Sequence, residues 1–469
     1  MAKWMALVTG AVLIIAAVPG RAAAGGERLW VKRYNEYTDS ATAIAVSPDG
    51  SMAFVTGNFQ SFDGVEDHWI TLGLDASTGA RRWSMTHGVS PYDSASDIAV
   101  SPDGATVFVT GATHTSIENG LSDYGTIAYD ATTGAEIWTA SYDGGCGCPD
   151  GGDGASDLAV SPDGSTVFVT GTIQVPGTDP SGGPLFDDAT VAYDAATGAE
   201  RWVSPYDGGP SDLATSVAVS PTGSTVFVTG DSVGTDTRDD FVTLAYASDT
   251  GDLLWTSAYR GTARKSVDIP STLVTGPQGS RVFVTGRSQA PTEDSHFATV
   301  AFSATTGERL WARTYDGPGT GDDGANDIAV SPTSRRLFVG GSSAGSDAEL
   351  DCTVVAYRSA TGERLWVTRV KGTGRDADVC RSVVTSQDGS VVFAAGLVTD
   401  QTPDYLTAAM RAAGGKVVWR ATYDGPVHGI DSAADLAVGP GRGRHLRVFV
   451  TGTSAGTVSE DLATLAYTA

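Results

Sequence analysis

Short apolar runs separated by Gly- and Pro-bearing turns recur along nearly the whole chain, and the pattern is clearest from Asp157. Residues Asp157-Leu158-Ala159-Val160 read as a short strand. Ser161-Pro162-Asp163-Gly164 then supplies a tight turn, with Pro fixing φ early and Gly at the end. Val167-Phe168-Val169-Thr170-Gly171 is a second strand, followed by a long polar loop. A third strand runs from Asp187 to Tyr193 and ends in the turn Ala195-Ala196-Thr197-Gly198. A fourth carries Trp202 and ends near Tyr206. The runs are continuous rather than alternating, which is the signature of strands buried on both faces. Four short antiparallel strands per unit make a propeller blade.

Eight of the ten tryptophans mark the repeat: Trp30, Trp83, Trp138, Trp202, Trp255, Trp311, Trp366 and Trp419. Trp69 falls outside that spacing and reads as a peripheral residue at the rim end of a third strand. Arg28-Leu29-Trp30-Val31 is a fourth strand with no first three before it. Leu462 to Tyr467 is a third strand with no fourth after it. The two fragments complement each other. The sequence therefore predicts an all-β, eight-bladed β-propeller of four-stranded antiparallel blades, closed by an N-terminal strand that completes the C-terminal blade. Closure removes exposed sheet edges.

Residues 1–24 read as a signal peptide: Lys3 gives the positive start, Trp4 to Val18 is apolar, and Ala22-Ala23-Ala24 offers a small-residue cleavage site. The apolar run is short for a membrane anchor. The expectation is a secreted, monomeric protein with one propeller domain over 25–469. Formal net charge is −25, which makes nucleic acid and anionic lipid poor partners and suits cations.

The stretch Ala192-Tyr193-Asp194-Ala195-Ala196-Thr197-Gly198-Ala199-Glu200-Arg201-Trp202 resembles the tryptophan-docking motif of PQQ-type eight-bladed propellers. Similar stretches end at Trp138, Trp311 and Trp366. The resemblance implies that each repeat Trp stacks between blades. The unit also resembles the SBBP β-propeller repeat of exported bacterial proteins, through Trp311, Tyr315-Asp316-Gly317, Ile328-Ala329-Val330 and Phe338-Val339-Gly340. In PQQ dehydrogenases, adjacent cysteines form a ring beneath the quinone. Here Gly147 separates Cys146 from Cys148, and there is no haem-attachment Cys-x-x-Cys-His. No cofactor is therefore expected, PQQ least of all, and Ca²⁺ is the one that the acidic composition leaves open.

Four cysteines allow three pairings. Spacing makes Cys146 with Cys148 and Cys352 with Cys380 the simplest; a ring closed over Gly147 is strained, so the first pair can instead remain as thiols. Short turns join strands one to two and three to four, so both sets of long loops share one rim. That rim, or the mouth of the axial channel, is where a site is expected. It reads as acidic, with third strands opening at Asp123, Asp187, Asp240, Asp351, Asp404 and Asp461 and first strands at Asp97, Asp157, Asp327 and Asp435. Such carboxylates suit backbone N–H groups of neighbouring loops, or a hard cation. The densest metal candidate is Asp143, Asp150, Asp153 and Asp157. The next is Asp316, Asp322, Asp323 and Asp327.

Three G-x-S-x-G stretches, at Ser232, Ser343 and Ser454, share one place in the repeat and lack the following helix a nucleophile elbow needs. No catalytic residue is assigned. The function expected is a non-catalytic binding or scaffold protein that takes a protein, glycan or small-molecule ligand at the long-loop rim. The alternative is a PQQ-type quinoprotein oxidoreductase, or another enzyme, with its site at the channel mouth.

Overall fold

The computed structural model describes residues 25–35, 38–60, 67–88, 93–114, 122–146, 152–178, 183–233, 239–261, 266–290, 294–347, 349–374, 376–440, 446–457 and 459–469. The signal-peptide expectation for 1–24 lies outside them. Among the described residues every regular element is a β-strand, and the strands form eight four-stranded antiparallel sheets. Blades one to seven each use four consecutive strands. Blade three, for example, comprises Gly154–Val160, Thr166–Thr178, Pro184–Asp194 and Glu200–Tyr206. Blade eight joins Asp431–Pro440, Leu446–Ala455 and Glu460–Thr468 to the N-terminal strand Arg28–Tyr34. Trp30 there pairs with Ala466 and Val31 with Leu465. The eight-bladed architecture and its closure by both ends of the chain are as the sequence predicts.

The core lies between blades rather than inside one. Phe168, Ala192 and Trp202 of blade three pack with Val217, Val226, Val228 and Leu244 of blade four, and equivalent layers recur around the ring. Each inner sheet is apolar on both faces because both faces meet a neighbour.

The tryptophans lie at these boundaries. Trp202 Nε1 donates to the Ser248 carbonyl of the next blade at 3.0 Å, Trp138 to Ala195 at 3.0 Å and Trp311 to Ser359 at 3.0 Å. Each indole covers the glycine that ends the neighbouring three-to-four turn. A Cβ on Gly251 would stand 2.7 Å from Trp202, and the left-handed φ of +74° already requires glycine there. At Trp419 no such turn is available, and Gly26, with φ +90°, fills the slot 2.7 Å from the indole. Gly26 N–H donates to the Thr468 carbonyl at 2.7 Å and Thr468 N–H to Glu27 at 2.9 Å. The N-terminal segment thus supplies both the missing strand and the missing turn.

Trp69 departs from its peripheral reading. It is 1 % exposed, and its Nε1 donates to Ala112 of blade two at 3.1 Å. It occupies the strand position that Tyr124, Phe241, Phe297 and Tyr405 hold in other blades, so an indole here is one more large apolar wedge.

Candidate functional site

Every pairing of first with second strand contains the same irregularity, which places the axial side chains. In blade three the register steps from Ala155 opposite Gly171 to Asp157 opposite Thr170, leaving Ser156 unpaired. The corresponding extra residues are Asn326 in blade six, Arg381 in blade seven, Ala434 in blade eight and Thr42 in blade one. A bulge of this kind bends the strand and re-aims its side chains. It also explains the glycine of the Val-Thr-Gly motif. A Cβ on Gly171 would meet the Gly154 carbonyl oxygen at 2.1 Å, and one on Gly57 the Ser40 oxygen at 1.9 Å.

Four of the bulge residues line the axial mouth on the long-loop rim. A cavity of about 840 Å³ opens there, walled by Thr42, Asn326, Arg381 and Ala434 from the bulges and by Ser342, Ser432, Thr453 and Glu460 from the strands around them. Asn326 Nδ2 donates to the Cys380 carbonyl at 2.7 Å, which holds the amide across the junction between blades six and seven. The wall carries several hydroxyls, one amide, one guanidinium and one carboxylate, and is suited to hydrogen-bonding a polar ligand.

Directly after four of the eight bulges come the first-strand carboxylates that the sequence placed at the rim. The structure places them inside the channel instead: Asp97, Asp157, Asp327 and Asp435 lie in mid-strand, because those strands begin three or four residues earlier. Each reaches across to the next blade. Asp157 Oδ2 accepts the Val217 N–H at 2.8 Å, Asp327 Oδ2 that of Val383 at 2.6 Å and Asp435 Oδ2 that of Ile44 at 3.0 Å. Burial, reinforced by the neighbouring Asp157, lifts Asp97 well above the usual carboxylate range. Two such carboxylates facing one another share a proton. Burial pushes Asp327 up to about 7, with Asp435 contributing across Ser382.

The metal candidates are distributed differently from the sequence reading. Asp143 and Asp153 do converge, together with Asp123, with carboxylate oxygens within 4.8 Å of one another. Asp157 is separated from them by its place in the axial ring, and Asp150 lies outside the described residues. In the second loop, Asp323 accepts the Gly317 and Ala344 amides at 2.6 and 2.7 Å, Asp322 accepts the Ser295 amide at 2.8 Å, and Asp316 lies 3.7 Å from His296 Nε2. Asp327 belongs to the channel. Two further triads, Asp187 with Asp207 and Asp212, and Asp404 with Asp424 and Asp431, repeat the geometry of the first. Sequence reasoning missed them because their members come from the third strand, the end of the fourth and the start of the next blade. The usable signal is periodic: the Asp that follows Tyr142, Tyr206, Tyr315 and Tyr423, and the Asp opening each blade.

Cys352 and Cys380 form a disulfide joining the third strand of blade six to the first strand of blade seven. Cys146 is disulfide-bonded rather than a free thiol; Cys148 lies outside the described residues. Ser232, Ser343 and Ser454 sit buried in extended second strands, with no elbow geometry.

A quinone cofactor of the PQQ type is a planar tricarboxylate. The mouth does not fit it: no aromatic face lines the cavity among the described residues, Arg381 is the one cationic side chain in the wall, and Glu460 sets a carboxylate there.

A family model described as outer membrane protein assembly factor BamB matches residues 66–338 and, overlapping, 240–466. No curated protein matches the chain. Among solved structures, Sqt1 of Chaetomium thermophilum bound to the N-terminus of a ribosomal protein superposes with TM-score 0.61 at 14% identity, covering 94% of this chain and 100% of that one. A quinohemoprotein alcohol dehydrogenase of Pseudomonas putida gives 0.57 at 13%, covering 94% and 76%. A europium-containing methanol dehydrogenase gives 0.57 at 12%, covering 94% and 93%. At these identities the likeness is one of fold.

Proposed function

The chain belongs to this PQQ-type repeat family, and from that premise we propose that it is an exported, non-catalytic binding propeller whose ligand seat is the axial mouth. The carrying observation is the bulge ring. Every blade carries one extra residue at its bulge, and there the repeat abandons uniformity: Thr42, Ser96, Ser156, Thr215, Ser271, Asn326, Arg381 and Ala434, of which Thr42, Asn326, Arg381 and Ala434 wall the mouth. A rigid scaffold with variable residues around one opening is the arrangement of a recognition surface. The ligand we infer is a polar segment of another protein, in keeping with a family whose description names an assembly factor. Fold alone does not decide, since the fold neighbours include both dehydrogenases and a protein bound to a ribosomal-protein N-terminus.

The test places a photo-crosslinking residue at Ser342 in the mouth and, separately, at Thr222 on the opposite, short-turn face. Discrete adducts from Ser342 that vanish with Arg381→Glu, and none from Thr222, are expected. Equal adducts from both faces overturn the placement. PQQ-dependent dye reduction with an alcohol or sugar, after addition of PQQ and Ca²⁺, overturns the non-catalytic reading.

A further inference from the structure

At each junction between blades three positions meet: one from the third strand, one just past the fourth, and an Asp that opens the next blade. At five junctions the first two positions include a basic, amide or glycine residue. Arg260 Nε donates to Asp240 Oδ2 at 2.7 Å, Lys371 Nζ lies 3.9 Å from Asp351, His296 lies beside Asp316, and Asn35 donates to Asp461. The fifth junction has His68, Gly88 and Asp93. The remaining three are all aspartate.

These three are not equal. In Asp123–Asp143–Asp153, both oxygens of Asp153 are committed to amides, Gly144 at 2.6 Å and Gln174 at 2.7 Å. In Asp404–Asp424–Asp431, Asp431 accepts Gly425 at 2.8 Å and Ala455 at 3.2 Å, and His428 pairs with Asp424. At the junction of blades three and four the amide that would serve Asp212, Val233 N–H, is donated to the Ser211 carbonyl at 2.9 Å. Asp212 is fully buried. Its Oδ2 accepts Gly208 and Gly209 at 2.7 and 3.1 Å, its Oδ1 takes no backbone amide, and the Ser232 hydroxyl lies beside the carboxylate. Beside it Asp188, 3 % exposed, leaves Oδ1 unpartnered, in a strand position where five other blades carry an aromatic ring. A buried carboxylate oxygen left without a donor costs free energy that a bound cation recovers.

We propose that Asp187, Asp207 and Asp212 bind a calcium ion that ties blade three to blade four. Three carboxylate oxygens within 4.8 Å of one another can share one ion at about 2.3–2.6 Å, and oxygen-only donors select a hard cation.

The experiment uses the full exported chain stripped with EDTA. Terbium is titrated while its emission is read under tyrosine excitation, since Tyr206 lies against Gly208 at this junction; Ca²⁺ is then used to displace it. Wild type should give saturable emission reversed by Ca²⁺, and a Ca²⁺-dependent rise in Tm. Asp187→Asn/Asp207→Asn should bind at least tenfold more weakly and lose the Tm rise, while melting like wild type in EDTA. Asp143→Asn should keep both responses. Absence of wild-type emission at millimolar ion, a double variant that titrates like wild type, or an equal loss in Asp143→Asn overturns the site.

Discussion

The outer wall and the inner mouth of this propeller are built from the same repeat but obey opposite rules. At the wall, one tryptophan recurs in all eight blades and covers a left-handed glycine of the neighbour, Gly26 standing in at the seam. At the mouth, the residue after each blade's opening pairs is serine, threonine, asparagine, arginine or alanine, although the backbone bulge beneath it is constant. Uniform side chains hold the ring together. A uniform backbone that carries varied side chains leaves recognition free to differ around the circle. The comparison implies that damage at the wall is thermodynamic and damage at the mouth is functional.

The largest effect should come from the seam, where the wall depends on both ends of the chain. Deleting Glu27 to Tyr34 removes the partner of the strand Glu460–Thr468 and the Trp30 indole, whose Nε1 donates to Ala76 of blade one at 3.2 Å. It exposes an apolar edge with unpaired N–H and C=O groups. The expected outcome is aggregation, read by size-exclusion chromatography. A soluble monomer with unaltered Tm would mean that the seam contributes nothing to the wall.

Next come single indoles. Trp202→Ala should cost about 3–5 kcal/mol in denaturant unfolding. Trp69→Ala should cost at least as much, because Trp69 is the more completely buried of the two, at 1 % against 8 % exposed. A clearly smaller loss for Trp69 would restore its reading as a peripheral residue. Below these, Gly171→Ala sets a Cβ against the Gly154 oxygen at 2.1 Å and should cost about 1–3 kcal/mol. Gly414→Ala, with nothing within 4 Å, should fall within about 0.5 kcal/mol of wild type. Equal effects would dissociate the Val-Thr-Gly glycine from the bulge.

The wall was legible in the sequence and the junctions were not, for a physical reason. Trp202, Gly198 and the Val-Phe-Val run repeat at fixed offsets within one blade, so periodicity alone finds them. Asp187, Asp207 and Asp212 belong to two blades and three strands, and only the folded ring brings them together. Reading loops by proximity instead grouped Asp157 with Asp143. The bulge at Ser156 turns that aspartate to the axis, where it meets Asp97 and the Val217 amide. Trp69 was misplaced because its strand position admits several rings, so no single residue type marks it.

The smallest expected effect is a pH dependence that originates at the mouth side of this comparison. Asp327 faces Asp435 across Ser382 and is half-buried, and burial raises it to about 7. A carboxylate raised in the folded state holds a proton that the unfolded chain releases above its ordinary range near 4. The unfolded state then binds fewer protons, so stability falls as pH rises from about 4 to 7 and stays reduced above that. Asp97, raised in the same direction, adds to the trend. Turn aspartates such as Asp163, held at about 2 first by the Ser161 hydroxyl, act only at lower pH, where their stabilisation is lost as they protonate. His87, lowered by burial, opposes the trend near pH 6, so the comparison is made between variants rather than from one curve. Between pH 5 and 8, wild-type Tm should fall by about 2–4 °C more than that of Asp327→Asn, whose side chain stays neutral throughout. The same difference should be absent for Asp163→Asn. If the wild-type and Asp327→Asn profiles run parallel, the axial carboxylates are fully hydrated and the mouth contributes no proton-linked strain to the wall.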